Sequence, residues 1–233
     1  NVNSYGKGLS ENETFANLLQ NICDIDGDFI IRFVSPHPRD FTDDVIDVIA
    51  RNPKIARSLH LPLQSGSTRV LKLMNRGYSK EQYIALAEKI KERIPGVSLT
   101  ADIIVGFPQE TEEDFIDTLD VVDKVGFETS FMFMYSIRKG TKAAEMKNQV
   151  NGNIKEERSR KLIELSDENE KEYNKRYIGK EVEILFEEEK EGLYKGHTQN
   201  YILAYYNTDK KLENKIVKVK CIGTETEHII VEE

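Results

Sequence analysis

The stretch of sequence that sets the fold is VSLTADIIVGFPQETEEDF, residues 97–115. It starts as an aliphatic run, turns at a glycine and a proline, and continues at Thr111 with three acidic residues ahead of an apolar stripe. The run over 97–107 predicts a buried strand. Thr111 predicts the N-cap of a helix, because its hydroxyl can accept from the free amides of the first turn. A strand that leads directly into a capped helix is the repeating unit of an α/β fold.

The same strand–loop–helix unit recurs on both sides of this stretch. We predict three further strands over 29–34, 59–63 and 129–135. Such alternation indicates parallel strands with helical crossovers, and the carboxyl ends of those strands carry the functional loops. Four or five strands cannot close a barrel of eight, so the sheet is expected to be an open, partial parallel barrel. Capping residues predict helix starts at Thr42, Ser79 and Thr111, and a helical turn or two is expected over 68–74.

The second part of the chain has a different pattern. Residues 153–175 are densely charged, with glutamate and lysine three and four apart, which predicts an exposed connecting helix. Short apolar runs then recur without helical periodicity, which predicts a small all-β barrel of about five strands, the size of an OB-like module. The expected domains are therefore an α/β unit over 1–152, a helix over 153–175 and a β-barrel over 176–233.

Composition excludes several classes of protein. The 233 residues are 39% hydrophobic and 32% charged, and the apolar runs are far shorter than the roughly 20 residues of a membrane span, so no membrane partner is expected. A net charge of -8 argues against wholesale wrapping by nucleic acid, although a local basic stripe suffices for RNA. Sparse cysteine, Cys23 and Cys221 only, favours the reducing cytoplasm and is too little for an autonomous cluster or zinc site.

Two loops contain the first candidate binding residues. The glycine of the loop over 106–108 would let the backbone approach a ligand, and the helix that follows suits a polar or anionic group, but the loop is equally consistent with a plain strand-to-helix turn. Gln64 and Ser65 end the strand at 59–63, where their side chains can hydrogen-bond ribose hydroxyls or belong to an ordinary loop. We interpret His60 as a strand histidine, since no second ligand stands at metal spacing.

Basic and aromatic residues make up a second set of candidates. Arg138 and Lys139 follow the last predicted strand of the α/β unit, where positive charge suits a phosphate-bearing substrate or is simply solvated. In the tail, Asn200 and Tyr201 belong to a polar, tyrosine-containing segment. OB-like barrels stack nucleobases on such aromatics, although these tyrosines are also consistent with a structural role. The acidic run 187–189 argues against a large electrostatic footprint.

Six segments, taken in order, resemble the radical S-adenosylmethionine (SAM) methylthiotransferases. The tail resembles the TRAM domain of that family, a small β-barrel that holds tRNA, so the resemblance covers essentially the whole chain. It implies a partial α/β barrel of radical SAM type followed by an OB-like TRAM barrel. The segments are NVNSYG (1–6), SPHP (35–38), HLPLQSGS (60–67), MNRGY (74–78), DIIVGFPQETEEDF (102–115) and YSIRKGT (135–141).

The resemblance implies a reaction on tRNA. In this family a [4Fe–4S] cluster cleaves SAM, the resulting radical activates a C–H bond of the substrate, and a second cluster supplies the sulfur of a methylthio group. Residues 1–6 and 35–38 imply the branch that acts on isopentenyladenosine 37, in the anticodon stem-loop. Residues 196–201 also resemble the sister branch that modifies threonylcarbamoyl-adenosine 37.

Two readings without this chemistry stay open. One is an RNA-binding module without catalysis. The other is an unrelated sugar-phosphate barrel enzyme, which would need a phosphate-binding glycine loop after the late strands and a charged catalytic residue at a strand end. Apart from Arg138, the sequence lacks that set.

The resemblance also assigns site residues. It places Gln64 and Ser65 on the ribose or methionyl part of SAM and Val105, Gly106, Phe107 and Pro108 around its adenine. Asn3 and Ser35 would complete the pocket from neighbouring strand ends. RNA contacts are implied for Arg138, Lys139, Asn200 and Tyr201. No side chain is an obvious general acid or base, as expected where the cofactor carries the chemistry.

Three departures from the family pattern bear on what this chain can do. Family members carry a Cys-x3-Cys-x2-Cys motif and three further cysteines in an amino-terminal domain, whereas this chain has two cysteines in all. We therefore expect a carboxyl-terminal fragment that holds no cluster, is inactive alone and has the missing amino-terminal domain as its partner. Gln109 stands where the family usually has glycine, and Lys142 where proline is common. Both positions affect the shape of a loop.

Overall fold

The chain folds as two units, which we call the front unit (Asn1–Ser166) and the barrel unit (Asp167–Glu233). The structure is a computed structural model that describes residues 1–9, 13–27 and 29–232. In chain order the elements are α1 Phe15–Cys23, α2 Asp43–Arg51, β1 Ser58–His60, α3 Thr68–Leu73, α4 Lys80–Arg93, β2 Ser98–Val105, α5 Glu112–Val125, β3 Thr129–Met134, α6 Lys142–Glu145, α7 Gly152–Lys175, β4 Glu181–Lys190, β5 Leu193–Thr198, β6 Leu203–Asn207, β7 Lys215–Thr224 and β8 His228–Glu232.

The sheet of the front unit is parallel and has the order β1-β2-β3. Side chains on β2 alternate as the period of two requires: Leu99, Ala101, Ile103 and Val105 are buried in the core, while the residues between them are partly exposed on the opposite face. The carboxyl ends of β2 and β3 meet at one edge, since Val105 pairs with Met134. The loops after both strands therefore lie side by side.

The predicted strand over 29–34 is wrong, and the described residues form a three-stranded sheet rather than one of four or five strands. Only Ile31 makes a parallel bridge, to Ile55. The facing segment follows Pro53 in a turn, and it offers Ile31 a single carbonyl, from Lys54, and a single amide, from Ala56. A parallel ladder needs such partners on every second residue of the strand, so the β-rich composition of 29–34 alone did not suffice to form a strand.

Local capping signals predicted the helix starts well. Ser79 with Gln82 and Thr111 with Asp114 both form complete capping boxes, which confirms the starts of α4 and α5. Helix α1 was not predicted. It is capped by Thr14, and Phe15 packs edge-on against Phe33 at 5.2 Å between ring centroids.

The barrel unit contains a closed barrel of five strands, which matches the predicted number of strands. Its order is β4-β5-β6-β8-β7, with β4 pairing β7 to close it and β6 parallel to β8. Gly196 allows β4 and β5 to approach, since a Cβ there would lie 2.3 Å from the Leu185 carbonyl oxygen. The core is apolar and includes Ile184, Phe186 and Ile229. Within the described ranges, no helix is both long and apolar enough to cross a lipid bilayer.

Asp114 ties the start of α5 to the loop before α3. Its carboxylate accepts from the Ser67 hydroxyl at 2.6 Å, from the Thr111 amide at 2.8 Å and from the Arg69 guanidinium. Burial alone would raise the pKa of Asp114, but hydrogen bonds from Arg69, Ser67 and Thr111 outweigh it and lower the pKa to about 2. The ionised form therefore stabilises the folded state.

Removing this charge should cost stability in a pH-dependent way. A folded-state pKa below the unfolded one gives stability that is present above about pH 4 and lost as the pH falls toward 2. We expect Asp114→Asn to lower the free energy of unfolding by about 2 kcal/mol at pH 7, with the difference shrinking over that window. Calorimetric unfolding from pH 7 to 2 measures it. The control is Asp123→Asn, exposed on the same helix; an equal loss in both variants would contradict this account.

Candidate functional site

A hollow of about 580 Å³ lies beside the carboxyl ends of β2 and β3 in the front unit. This volume is in the range of small-molecule sites. Its wall is largely apolar and includes three of the four methionines of the chain, while Arg76, Arg138 and Lys142 bring positive charge to it. The apolar and aromatic lining residues are Leu73, Met74, Ile104, Phe107, Phe133, Met134, Tyr135, Ala143 and Met146.

Gln64 reaches this hollow because its backbone continues the sheet. Its amide donates to the Asp102 carbonyl at 2.8 Å, and its carbonyl accepts from the Ile104 amide at 2.9 Å. Gln64 has a φ of 65°, the left-handed region that side-chain-bearing residues rarely adopt, so the surrounding structure holds it there at some cost. The side chain is half-buried and lines the hollow. The sequence prediction therefore placed Gln64 at the right strand end.

Ser65 and Gly66 anchor the loop from behind. Ser65 is 0% exposed, and its hydroxyl accepts from the Ser67 amide at 3.2 Å. Gly66 donates its amide to the Thr118 hydroxyl at 3.0 Å, and a Cβ at Gly66 would lie 2.4 Å from the Thr118 Cα. The glycine is thus required by the close approach of α5. The predicted contact of Ser65 with a ligand stays a prediction.

The turn after β2 contributes Phe107 to the hollow. Val105, Gly106, Phe107 and Pro108 are all buried, and the Phe107 ring meets the Tyr135 ring edge-on at 5.3 Å between centroids. Gly106 has a φ of +73°, and a Cβ there would lie 2.3 Å from Cγ of Lys155. In this structure the space for a side chain at Gly106 is therefore filled by Lys155 of α7, not by the hollow.

Two buried charges hold this turn in place. The Glu110 Oε1 atom accepts from the Gly106 amide at 2.9 Å and from the Arg158 guanidinium at 2.7 Å, with side chains only 2% and 6% exposed. Burial raises the pKa of Glu110, opposed by the Gly106 amide and by Arg158. Arg158 also pairs with Glu112 at 3.1 Å. Breaking such a pair by removing one partner typically costs about 3–5 kcal/mol.

Tyr135 lines the hollow and has an unpaired hydroxyl group. Its hydroxyl oxygen is shielded from solvent and has no hydrogen-bond partner within the described residues. Buried hydroxyls in proteins are normally paired, so this one is an exception, but because solvent does not reach it, it is not part of the open surface of the hollow. A nucleoside needs an apolar, aromatic slot with a few polar groups. The hollow, with its apolar and aromatic lining and with Gln64 as a polar group, has the composition that the adenosyl part of SAM would need.

Asn3 and Ser35 do not line the hollow. Asn3 lies in a short 3₁₀ turn, Val2–Ser4, rather than at a strand end. Its carboxamide donates to the His37 carbonyl at 2.9 Å and accepts from the His37 amide at 2.8 Å, so it pins the first residues to the loop over 35–38. Ser35 is exposed, with a φ of 54°. Their contact with the cofactor stays a prediction.

The partly exposed face of the sheet carries a polar pair that sequence reasoning did not single out. His60 approaches the Asp102 carboxylate at 3.3 Å and the Thr100 hydroxyl at 2.9 Å, with Phe131 beside it at 6.1 Å between ring centroids. His60 is thus a hydrogen-bonded strand histidine, as we interpreted it. The alternation of β2, with Thr100 and Asp102 on one face, is the signal that would have found the pair.

The barrel unit displays a stacked aromatic pair. Tyr201 is 55% exposed and stacks on His197 at 4.4 Å with nearly parallel rings. His197 Nδ1 lies 2.5 Å from the Glu187 carboxylate, which holds the ring in place. Asn200 donates to the Tyr177 hydroxyl at 3.2 Å. In the front unit, Arg138 and Lys139 are exposed, and Arg138 lines the hollow.

The described residues do not provide a metal-cluster site. Cys23 and Cys221 are both buried, and they belong to different units. Burial raises the pKa of both thiols, which opposes the thiolate form that a cluster needs. Across residues 1–9, 13–27 and 29–232, no group of three or more metal-binding side chains comes together. These residues therefore do not fit an iron–sulfur cluster by themselves.

Comparison with known proteins identifies the class first. The radical SAM superfamily profile matches residues 9–122. This match and the relatives described below confirm the resemblance found in the sequence.

Individual relatives are more specific. The chain is 54% identical over 223 residues to the tRNA-2-methylthio-N(6)-dimethylallyladenosine synthase of Fusobacterium nucleatum subsp. nucleatum, covering 94% of this chain and 51% of that protein. Enzymes of the same name from Carboxydothermus hydrogenoformans and Aquifex aeolicus are 50% and 47% identical, covering 94% and 95% of this chain and 51% and 50% of theirs. The chain thus spans about half the length of the curated relatives it matches.

Among solved structures, the archaeal Methanocaldococcus infernus Elp3 with an N-terminal deletion aligns with 71% of this chain and 38% of its own, at 15% identity and a TM-score of 0.47.

The two loop departures have visible structural positions. Gln109 has a φ of 72°, in the left-handed region, which explains physically why glycine is usual there. Its amide donates to the Asn148 carbonyl at 2.9 Å, so the conformation is fixed. Lys142 is the first residue of α6, after the N-cap Thr141, a position where proline is well accommodated.

Replacing Gln109 by glycine should stabilise the front unit. Glycine removes the strain at positive φ and keeps the backbone hydrogen bonds to Asn148 and Arg69. We therefore expect a gain of about 1 kcal/mol in the free energy of unfolding of Gln109→Gly. Gln109→Ala is the control, because it removes the side chain without relieving the backbone, and we expect it to gain nothing. Urea denaturation followed by circular dichroism measures both; equal stabilisation by alanine and glycine would show that backbone strain is not the cause.

Proposed function

We propose that this chain is the part of a tRNA methylthiotransferase that holds the adenosyl half of SAM and contacts the tRNA substrate. The observation that supports it most directly is the hollow at the carboxyl ends of β2 and β3, where Gln64, Phe107 and Tyr135 meet. This hollow lies at the edge of a parallel sheet where α/β proteins bind ligands.

In the proposed complex, the rings of Phe107 and Tyr135 provide the apolar walls for the adenine. The Gln64 carboxamide hydrogen-bonds the ribose hydroxyls or the methionyl group. Val105, Gly106 and Pro108 act by fixing the position of Phe107. SAM, when bound and cleaved, supplies a radical able to remove an unactivated hydrogen. The two [4Fe–4S] clusters that this chemistry requires would be held by cysteines outside the residues described here.

The proposed substrate is N6-isopentenyladenosine 37 in the anticodon stem-loop, which receives a methylthio group at C2. The support is the name of the relatives, which specifies a dimethylallyladenosine product. That name favours this substrate over the threonylcarbamoyl-adenosine alternative. Arg138 and Lys139 are proposed to meet RNA phosphates. A tRNA substrate and unpaired cysteines both support a cytoplasmic location.

The barrel unit is proposed to be a TRAM-type RNA-binding module. Its strand order, first-second-third-fifth-fourth with the third and fifth strands parallel, is that of an OB-like barrel. Tyr201, held flat on His197, offers an exposed ring on which a nucleobase can stack, and Asn200 lies next to it. Such stacking tolerates the acidic charge of the chain because it does not rely on a large basic surface.

The cofactor role is tested by binding of S-adenosylhomocysteine, which shares the adenosyl group of SAM but is not cleaved. We expect Phe107→Ala to weaken binding by about tenfold in isothermal titration calorimetry, because one wall of the adenine slot is lost. Phe131→Ala is the matched control, since Phe131 is half-exposed on the same sheet and does not line the hollow. Equal affinities for both variants, or no binding by the unmodified chain, would contradict the proposal.

The RNA role is tested on a fluorescent anticodon stem-loop. Tyr201→Ala should weaken binding by about tenfold in anisotropy titrations, because a stacking platform is lost. Tyr201→Phe keeps the ring and should bind as tightly as the unmodified chain. If both variants bind alike, whether weakened or not, stacking on Tyr201 is not the basis of RNA contact.

A further inference from the structure

Lys155 of α7 joins the two strand ends that bound the hollow. Its aliphatic stem packs against Gly106, in the space that a Cβ at that position would occupy. Its ammonium group donates to the Tyr135 carbonyl at 2.8 Å and lies 5.2 Å from the centre of the Tyr135 ring. One side chain thus contacts the turn after β2 and the end of β3. Lys155 itself does not line the hollow.

Arg158 lies three residues further along α7 and holds the same loop after β2 in place. Its guanidinium donates to the Glu110 carboxylate, and that carboxylate accepts from the Gly106 amide. The guanidinium also lies over the Phe115 ring at 5.4 Å. Residues three apart on a helix share one face, so Lys155 and Arg158 hold the turn together. Both belong to the front unit.

We infer that Lys155 and Arg158 are positioning residues that set the affinity of the hollow for an adenosyl ligand without touching it. The inference rests on the proposed function, because it takes the hollow as the adenosyl site. Phe107 directly follows Gly106, and Tyr135 is held by Lys155, so both aromatic walls take their positions from α7. A slot held in its binding geometry before the ligand arrives binds more tightly than one that must be ordered.

The contacts at Gly106 give this inference a sharp test. If glycine is needed because Lys155 packs there, a methyl group at Gly106 is harmful mainly while Lys155 is present. If glycine is needed so that a ligand can approach, the same methyl group is equally harmful with or without Lys155. The positive φ of Gly106 adds a constant cost to both cases and cancels in the comparison.

The experiment is a double-mutant cycle with Gly106→Ala and Lys155→Ala, alone and combined, read out by S-adenosylhomocysteine affinity in calorimetry. We expect the fold-loss of affinity caused by Gly106→Ala to be at least about five times smaller in the Lys155→Ala background than in the unmodified chain. Equal effects in both backgrounds would overturn the inference. Absence of binding by the unmodified chain would instead overturn the proposed cofactor site, and with it the role of Lys155 toward that ligand.

A second pair of variants covers the case in which Gly106→Ala fails to fold. Lys155→Met keeps the stem and removes the ammonium group, and we expect about fivefold to tenfold weaker ligand binding. Lys161→Met is the matched control, an exposed lysine of the same helix. Amide hydrogen exchange gives a readout that needs no ligand: Arg158→Lys should speed exchange of the Gly106 amide by about tenfold, and Arg160→Lys should not. Unchanged affinity in Lys155→Met, or unchanged exchange in Arg158→Lys, would overturn the assignment of that residue.

Discussion

The buried carboxylate of Glu110 is the constraint on which the rest of the site depends. One of its oxygens is shared between the Gly106 amide and the Arg158 guanidinium, in surroundings that exclude water. An unpaired charge in such a place is strongly unfavourable, so the three groups must stay together for the front unit to fold. The turn after β2, the start of α5 and the first part of α7 therefore form one rigid assembly. Phe107 directly follows Gly106, so that assembly fixes its position.

The features of the fold that depend on residues close together in the sequence were predictable. Ser79 and Thr111 cap their helices through partners three residues away, and the aliphatic run over 97–107 forms β2 as its pattern predicts. The segment 29–34 has the same kind of pattern but lacks a partner strand among the described residues, and pairing is a tertiary property that its own sequence does not specify. The five-stranded barrel was predictable because short apolar runs recur in this part of the sequence without helical periodicity.

The position of the candidate site was predictable from the sequence, but the contacts that hold it in shape were only partly predictable. Gln64 and Phe107 were placed at a shared strand edge by the rule that parallel strands end together, and both line one hollow. The reason for glycine at Gly106 was not predictable, because Lys155 lies far along the chain and no spacing signals the contact. The same holds for Arg158 and Glu110, which are 48 residues apart. Tyr135 lies in the segment 135–141 that resembles the family, but the sequence did not identify it as a site residue. An unpaired hydroxyl is visible only in three dimensions.

A crystal structure of this chain with S-adenosylhomocysteine tests the central claim most directly, because it locates the ligand relative to groups that α7 holds in place. The account predicts adenine against the Phe107 ring, in the hollow that Gln64 and Tyr135 also line, with the contact of Gly106 with Lys155 unchanged. A ligand bound elsewhere on the front unit, or a Phe107 ring turned out of the hollow with the Glu110 and Arg158 pair intact, would contradict it.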